Sequence, residues 1–129
     1  IILNQRLVKE TLETARSADY AITSVGECRD GAVLFESGLF TDQQIEQLRD
    51  NKVVADCCGV FFTADGAVAD IPLNGCTPCA KPNQMPKTDM TLLAGGVSKS
   101  VATLAVLRAN FVDRLFVDED LAHKLLEDS

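Results

Sequence analysis

Positive charge is scarce in this chain. Lys and Arg total 12 against 19 Asp and Glu, a formal net charge of −7, so neutralising the phosphates of a nucleic acid would fall to some other segment. No apolar run approaches the ~18 residues that would cross a bilayer, and neither a basic amphipathic helix nor a signal peptide is present, which excludes a membrane role. Histidine is reduced to His123. Without a second histidine, a nucleophile elbow or a paired-carboxylate motif, general acid-base or covalent catalysis has no cast. The cysteines number five, and an odd count without a leader points to a reducing, cytoplasmic setting with free thiols. No initiator Met precedes Ile1, and the chain is expected to be a piece of a longer protein.

What is present describes one soluble domain. The 129 residues are 47% apolar and 24% charged, a composition that folds, and a chain this long buries roughly two thirds of its unfolded surface. Leu3, Leu7, Val8, Leu12 and Ala15 recur at steps of three and four, predicting a helix to about Arg16. Tyr20–Val25 reads as a strand ended by Gly26. Thr41 with Gln44 forms a capping box and Phe40 with Ile45 a hydrophobic staple, which predicts a helix over Asp42 to Arg49.

Val53-Val54-Ala55 reads as a buried strand stopping at Asp56, followed by a hairpin that turns on Asp65-Gly66. Pro72 to Thr88 reads as a long loop. Met90–Ala94 is a further core strand, ended by Gly95-Gly96, and an apolar helix from about Ser98 to Ala109 starts at once. Arg114–Val117 is the last strand, and Asp118 caps a final helix whose inner face is Leu121, Ala122, Leu125 and Leu126. Strands alternating with helices imply an α/β fold: a Rossmann-like parallel sheet with helices on both faces, plus a β-hairpin. In such a sheet ligands bind beyond the carboxyl ends of the strands, which here carry Gly26-Glu27, Asp56-Cys57, Gly95-Gly96 and Asp118.

Two features stand out at those ends. Gly95-Gly96-Val97-Ser98-Lys99 leaves a strand and opens a helix, so N–H groups, a hydroxyl and an ammonium could converge on phosphate. Its spacing matches neither the P-loop nor the dinucleotide fingerprint, and the plain alternative is a tight turn with a solvated Lys99. Asp56, at the end of an apolar strand, needs a hydrogen-bonding partner, either sugar hydroxyls or nearby loop N–H groups. Together Asp56 and Lys99 describe a sugar-phosphate pocket. Cys76-Thr77-Pro78-Cys79 with Cys57-Cys58 raises zinc or redox chemistry. Adjacent strand residues point to opposite faces, however, and a thioredoxin-type motif opens a helix rather than lying in a proline-rich loop. No cofactor is expected.

From Asp19 onward the chain resembles the carboxyl-terminal part of the effector-binding domain of the SorC family of sugar-responsive bacterial transcriptional regulators. The resemblance rests on Ala55-Asp56-Cys57-Cys58-Gly59-Val60-Phe61-Phe62 leading to Asp65-Gly66, on Leu73-Asn74, on Ala94-Gly95-Gly96-Val97-Ser98-Lys99, and on Leu115-Phe116-Val117-Asp118-Glu119-Asp120-Leu121-Ala122. It implies the sugar-isomerase-like fold shared with ribose-5-phosphate isomerase and glucosamine-6-phosphate deaminase, here as a partial domain spanning residues 1–129. It also implies effector contacts by Lys99 to phosphate and Asp56 to hydroxyls, with Cys57, Gly95, Gly96 and Ser98 around them.

The expected partners are a phosphorylated sugar, DNA through a helix-turn-helix domain absent from this chain, and further copies in a dimer or tetramer. The chain departs from the family pattern where Ala55 replaces a usual glycine, Cys57 an aliphatic residue and Val60 a common arginine. The rival reading, a sugar-phosphate isomerase or deaminase, lacks the deaminase-type Gly-His-Ile-x-Phe-Asn-Glu-Pro stretch.

Overall fold

The computed structural model describes residues 2–129; Ile1 lies outside the described residues. In chain order the elements are α1 (Arg6–Arg16), β1 (Tyr20–Ser24), β2 (Gly26–Glu27), α2 (Val33–Glu36), α3 (Asp42–Asp50), β3 (Val53–Cys57) and β4 (Val60–Thr63). They continue with β5 (Asp89–Ala94), α4 (Ser100–Arg108), β6 (Arg114–Val117) and α5 (Glu119–Asp128). The α/β class holds. A parallel sheet of order β1-β5-β6 carries the expected strands, with Ile22 opposite Thr91 and Leu92 opposite Leu115.

The strand at Val53 does not join that sheet. It is the centre of a second, antiparallel sheet of order β2-β3-β4. The cause is local. Cys58 and Gly59, the two residues between Cys57 and its partner Val60, have φ of 52° and 66°, the paired positive dihedrals of a two-residue primed hairpin turn, which forces antiparallel pairing. Cysteine is not a residue that announces such a turn. The turn expected at Asp65-Gly66 does form, closed by Thr63 N–H donating to Ala67 O at 3.0 Å, but its return arm is a single bridge from Phe62 to Val68.

Helix α3 follows from its cap: Gln44 N–H donates to Thr41 Oγ1 at 3.2 Å while Gln44 Oε1 accepts from Thr41 N–H at 2.9 Å. Leu48, fully buried, joins the helix to Val53, Phe61 and Ile71, with Phe40 and Ile45 packed against the same cluster. Thr41→Ala should remove about 1 kcal/mol of stability, read from the urea midpoint at constant slope.

Helix α4 starts two residues later than expected, after a 3-10 turn over Val97–Lys99. Its Ala102, Ala105 and Val106 are buried with Val25, Ala55, Phe62 and Leu92 between the two sheets, while Leu104 meets Leu121 and Leu125 of α5. Burial on more than one side is what its sparse polar face predicts.

Cover is one-sided among the described residues. Met90 and Leu92 point into the core, whereas Tyr20, Ile22, Leu93 and Phe116 on the other face are 72%, 73%, 44% and 61% exposed. Helix α1 ends at Arg16 as predicted but begins at Arg6, leaving Leu3 in a preceding 3-10 turn, and it buries none of its residues, so its apolar stripe packs on no sheet here.

Candidate functional site

The two sheets share a single connecting residue. Val25, buried, links β1 to β2, and the chain crosses from the parallel to the antiparallel sheet there. This crossing brings Asp56 to the carboxyl end of the parallel strands, although β3 is not one of them: Asp56 pairs with Gly26, the residue after Val25. Lys99 reaches the same place from the start of α4, its Nζ donating to Val25 O at 2.6 Å. The predicted carboxylate and the predicted ammonium thus converge on adjacent residues of one crossing.

Asp56 carries the electrostatic tension of the site. Its Oδ1 is buried and makes no hydrogen bond, and Oδ2 lies 3.4 Å from where a Cβ on Gly26 would stand. Burial pushes its carboxyl above the usual aspartate range. No loop N–H satisfies Oδ1, so the alternative of a carboxylate serving its own loop does not account for that oxygen.

The Gly95-Gly96 turn is occupied from within. Asp118 caps α5 by accepting Leu121 N–H on Oδ1 at 2.8 Å, and its Oδ2 accepts Gly96 N–H at 2.5 Å. Both bonds hold its carboxyl below the usual range. The sequence signalled the cap; the tie to Gly96 crosses 22 residues and has no local signal. Gly96, at φ 89°, needs the conformation that glycine supplies. Ser98 Oγ lies 3.4 Å from Glu27 Oε2, and Glu27 Oε1 accepts from Arg29 Nε at 2.9 Å. Glu27 and Arg29 line a crevice of about 150 Å³ with Ser98, Val54 and Val101, and Arg29 is a basic residue at this end that sequence reasoning passed over.

Cys57 and Cys58 depart from expectation. Because Cys58 sits in the left-handed turn rather than in the strand, the two Sγ atoms lie 3.9 Å apart instead of on opposite faces. All five cysteines are free, and among the described residues no three of His, Cys, Asp and Glu are grouped to hold a metal ion. His123 is exposed on α5.

A larger cavity of about 740 Å³ opens at the other end of the parallel sheet, against Val60, Phe62, Met90, Phe111, Lys81 and Asp113. Three of its polar groups hold the Pro72–Thr88 loop and the strand start: Lys81 Nζ binds Asn74 O, Asn74 Oδ1 accepts Phe61 N–H, and Asp113 Oδ2 accepts Met90 N–H. Asp89, between the lining residues Thr88 and Met90, also has a buried Oδ1 without a partner, but unlike Asp56 its other oxygen is held by the Arg114 guanidinium at 2.7 Å.

Comparison with known proteins agrees with the fold. The family model described as "Putative sugar-binding domain" matches residues 1–127. The deoxyribonucleoside regulator of Bacillus subtilis (strain 168) is 26% identical over 129 residues, 99% of this chain and 41% of that protein. A DeoR family transcriptional regulator from Listeria monocytogenes superposes with a TM-score of 0.88 at 27% identity, over 96% of this chain and 51% of that one. The full-length sorbitol operon regulator SorC from Klebsiella pneumoniae shares the fold, with a TM-score of 0.83 at 22% identity over 97% of this chain and 41% of that one. This chain therefore spans about half or less of the relatives it matches. With the fold and the family model in accord, the chain belongs to the family described as a putative sugar-binding domain, and the proteins it resembles include named transcriptional regulators.

Proposed function

We propose that this chain is the carboxyl-terminal part of the effector-binding domain of a cytoplasmic transcriptional regulator of carbohydrate-metabolism genes, and that its effector is a phosphorylated sugar. The observation that carries the reading is the unpaired buried Oδ1 of Asp56 beside the crossing where Lys99 Nζ lands. A carboxylate that accepts from sugar hydroxyls gains the hydrogen bonds its burial denies it. The Lys99 ammonium, released from Val25 O, and the first N–H groups of the helix meet the phosphate, where the helix dipole favours negative charge. Gly95, Gly96 and Ser98 shape that turn, and Cys57 lines the neighbouring wall.

Relatives named as regulators support a binding rather than a catalytic role. DNA contacts belong to a domain outside this acidic chain, and the protein acts as a dimer or tetramer. Effector binding shifts the population of its arrangements and hence the spacing of the DNA-reading helices.

Titrating ribose-5-phosphate, glucosamine-6-phosphate and their unphosphorylated sugars into the full-length protein by calorimetry tests this. Binding is expected only for a phosphorylated member. Lys99→Met should weaken it roughly tenfold, the loss of one charge-assisted hydrogen bond of about 1.5 kcal/mol. Unchanged affinity in that variant would remove Lys99 from the site.

A further inference from the structure

The thiols differ sharply in their surroundings. Cys28 is buried and held neutral, its thiol pushed up to about 12 by burial. Burial also raises Cys79. Cys76 lies exposed, its Sγ 3.4 Å from Pro72 O. Only at the β3–β4 turn do two Sγ atoms face each other, 3.9 Å apart. Thr23 Oγ1 stands over both, 3.3 Å from Cys58 Sγ and 3.7 Å from Cys57 Sγ.

The pair is asymmetric. Cys57 is 1% exposed, while Cys58 is partly open to solvent. The hydrogen bond from the Cys57 thiol, aided by the Thr23 hydroxyl and opposed by burial and the nearby Asp56 carboxylate, lowers the Cys58 thiol, and Cys58 is also the more open of the two, so it is the sulfur placed to react first. The thiolate is the nucleophile in sulfur chemistry.

We propose that Cys57 and Cys58 form a peroxide-responsive dithiol at the turn that follows Asp56, with Cys58 the attacking sulfur and Cys57 the resolving one. Cys58 Sγ attacks one oxygen of hydrogen peroxide; the O–O bond breaks, hydroxide leaves, and Cys58 becomes a sulfenic acid. The Cys57 sulfur then attacks Cys58 Sγ. The S–O bond breaks, the Cys57 proton leaves with the hydroxyl as water, and a disulfide joins neighbouring residues. Two electrons pass from the sulfurs to the peroxide, giving one water and one hydroxide.

The first step also prepares the second, because loss of the Cys58 negative charge removes one cause that holds Cys57 protonated. Adjacent Cα atoms are about 3.8 Å apart, below the ~4.4–6.8 Å usual for disulfides, so the bond is strained and easily reduced again. Closing it draws the sulfurs to about 2.05 Å and reshapes the turn next to Asp56. On the sugar-site reading above, oxidation therefore releases the effector.

Peptide mapping of the full-length protein decides the chemistry without any effector. After one equivalent of peroxide, chymotryptic cleavage at Phe61 and Phe62 separates Cys57 and Cys58 from Cys76 and Cys79. A loss of two hydrogens within the fragment carrying Cys57 and Cys58 is expected, and iodoacetamide at neutral pH should label Cys58 first. Cys58→Asn, whose side chain tolerates the left-handed turn, should abolish both. A bond from Cys58 to Cys79, or an unreacted Cys58, overturns the proposal.

The coupling is read with ribose-5-phosphate and glucosamine-6-phosphate on the same samples. Affinity lost at least tenfold on oxidation, regained with dithiothreitol and insensitive to peroxide in Cys58→Asn supports it; full affinity in the disulfide form refutes it. If the reduced protein binds neither ribose-5-phosphate nor glucosamine-6-phosphate while the disulfide forms as stated, the failure belongs to the sugar-site reading and not to the dithiol.

Discussion

Asp56→Asn is expected to make the protein more stable and, at the same time, unable to hold its effector. The carboxylate is penalised by burial, which lifts its pKa in the folded state, and Oδ1 has no protein partner. A carboxyl whose folded pKa is raised favours folding most when it is protonated, and that advantage is lost as pH rises through the raised value. The neutral amide escapes the charge penalty, so the variant's gain in melting temperature should be large at neutral pH and vanish below the ordinary aspartate range.

Binding moves the other way. Two charge-assisted hydrogen bonds to hydroxyls are worth about 3 kcal/mol together, so affinity for a phosphorylated sugar should fall about a hundredfold or more. Melting curves at neutral and acid pH, paired with calorimetry on the full-length protein, check both halves. A variant that binds normally, or that melts lower than the parent at neutral pH, would show that Asp56 is a structural carboxylate.

The largest loss of stability is expected at Gly66. Its φ is +87°, and a Cβ there would stand 2.6 Å from Ala109 N and 2.6 Å from Arg108 C, backbone at the end of α4. Arg108 Nη1 donates to Ala64 O at 2.8 Å and pins the same turn to the helix. Gly66→Ala therefore combines a left-handed alanine, about 1 kcal/mol, with overpacking against immovable backbone, about 2 kcal/mol, and should lower stability by about 3 kcal/mol.

Two control variants separate the causes. Gly38→Ala, at φ +73° but with nothing within 4 Å, should show only the dihedral cost of about 1 kcal/mol. Gly75→Ala has neither the positive φ nor a neighbour within 4 Å, and should be close to neutral. Urea unfolding of the three variants gives the order, and equal losses at Gly66 and Gly38 would mean that the turn can lift off α4.

Local signals carried most of the secondary structure. Thr41 with Gln44, and Asp118 ahead of an acidic first turn, marked helix starts that the structure keeps to the residue. Met90–Ala94 and Arg114–Val117 were legible as strands because their alternatives were poor. The partnering of strands was not. Nothing in Val53-Val54-Ala55 distinguishes a parallel core strand from the middle of an antiparallel sheet, and the deciding feature, a primed turn at Cys58-Gly59, uses a residue with no turn preference.

The site divides the same way. Asp56 and Lys99 could be paired from residue chemistry alone. That both meet at Val25-Gly26, that Asp118 occupies Gly96 N–H, and that Arg29 and Glu27 stand beside Ser98 are tertiary facts set by contacts across 22 to 74 residues of sequence. Sequence periodicity carries no record of them. Cys57-Cys58 shows the cost of a sound rule applied to the wrong element: strand alternation separates neighbours, but one of the two is not in the strand.

The uncovered face of the parallel sheet, with Tyr20, Ile22, Leu93 and Phe116 open to water, sets the colloidal behaviour of this stretch of chain when nothing lies over it. Parallel sheets are ordinarily sandwiched on both sides, and bare aromatic and aliphatic surface attracts its like at short range. Copies of the chain carry a net charge of −7, and their mutual repulsion reaches about 10 Å in 0.1 M salt but only ~3 Å at 1 M. Added salt therefore shortens the repulsion while the apolar attraction remains, so ionic strength governs whether bare copies of this stretch stay apart or adhere through that face.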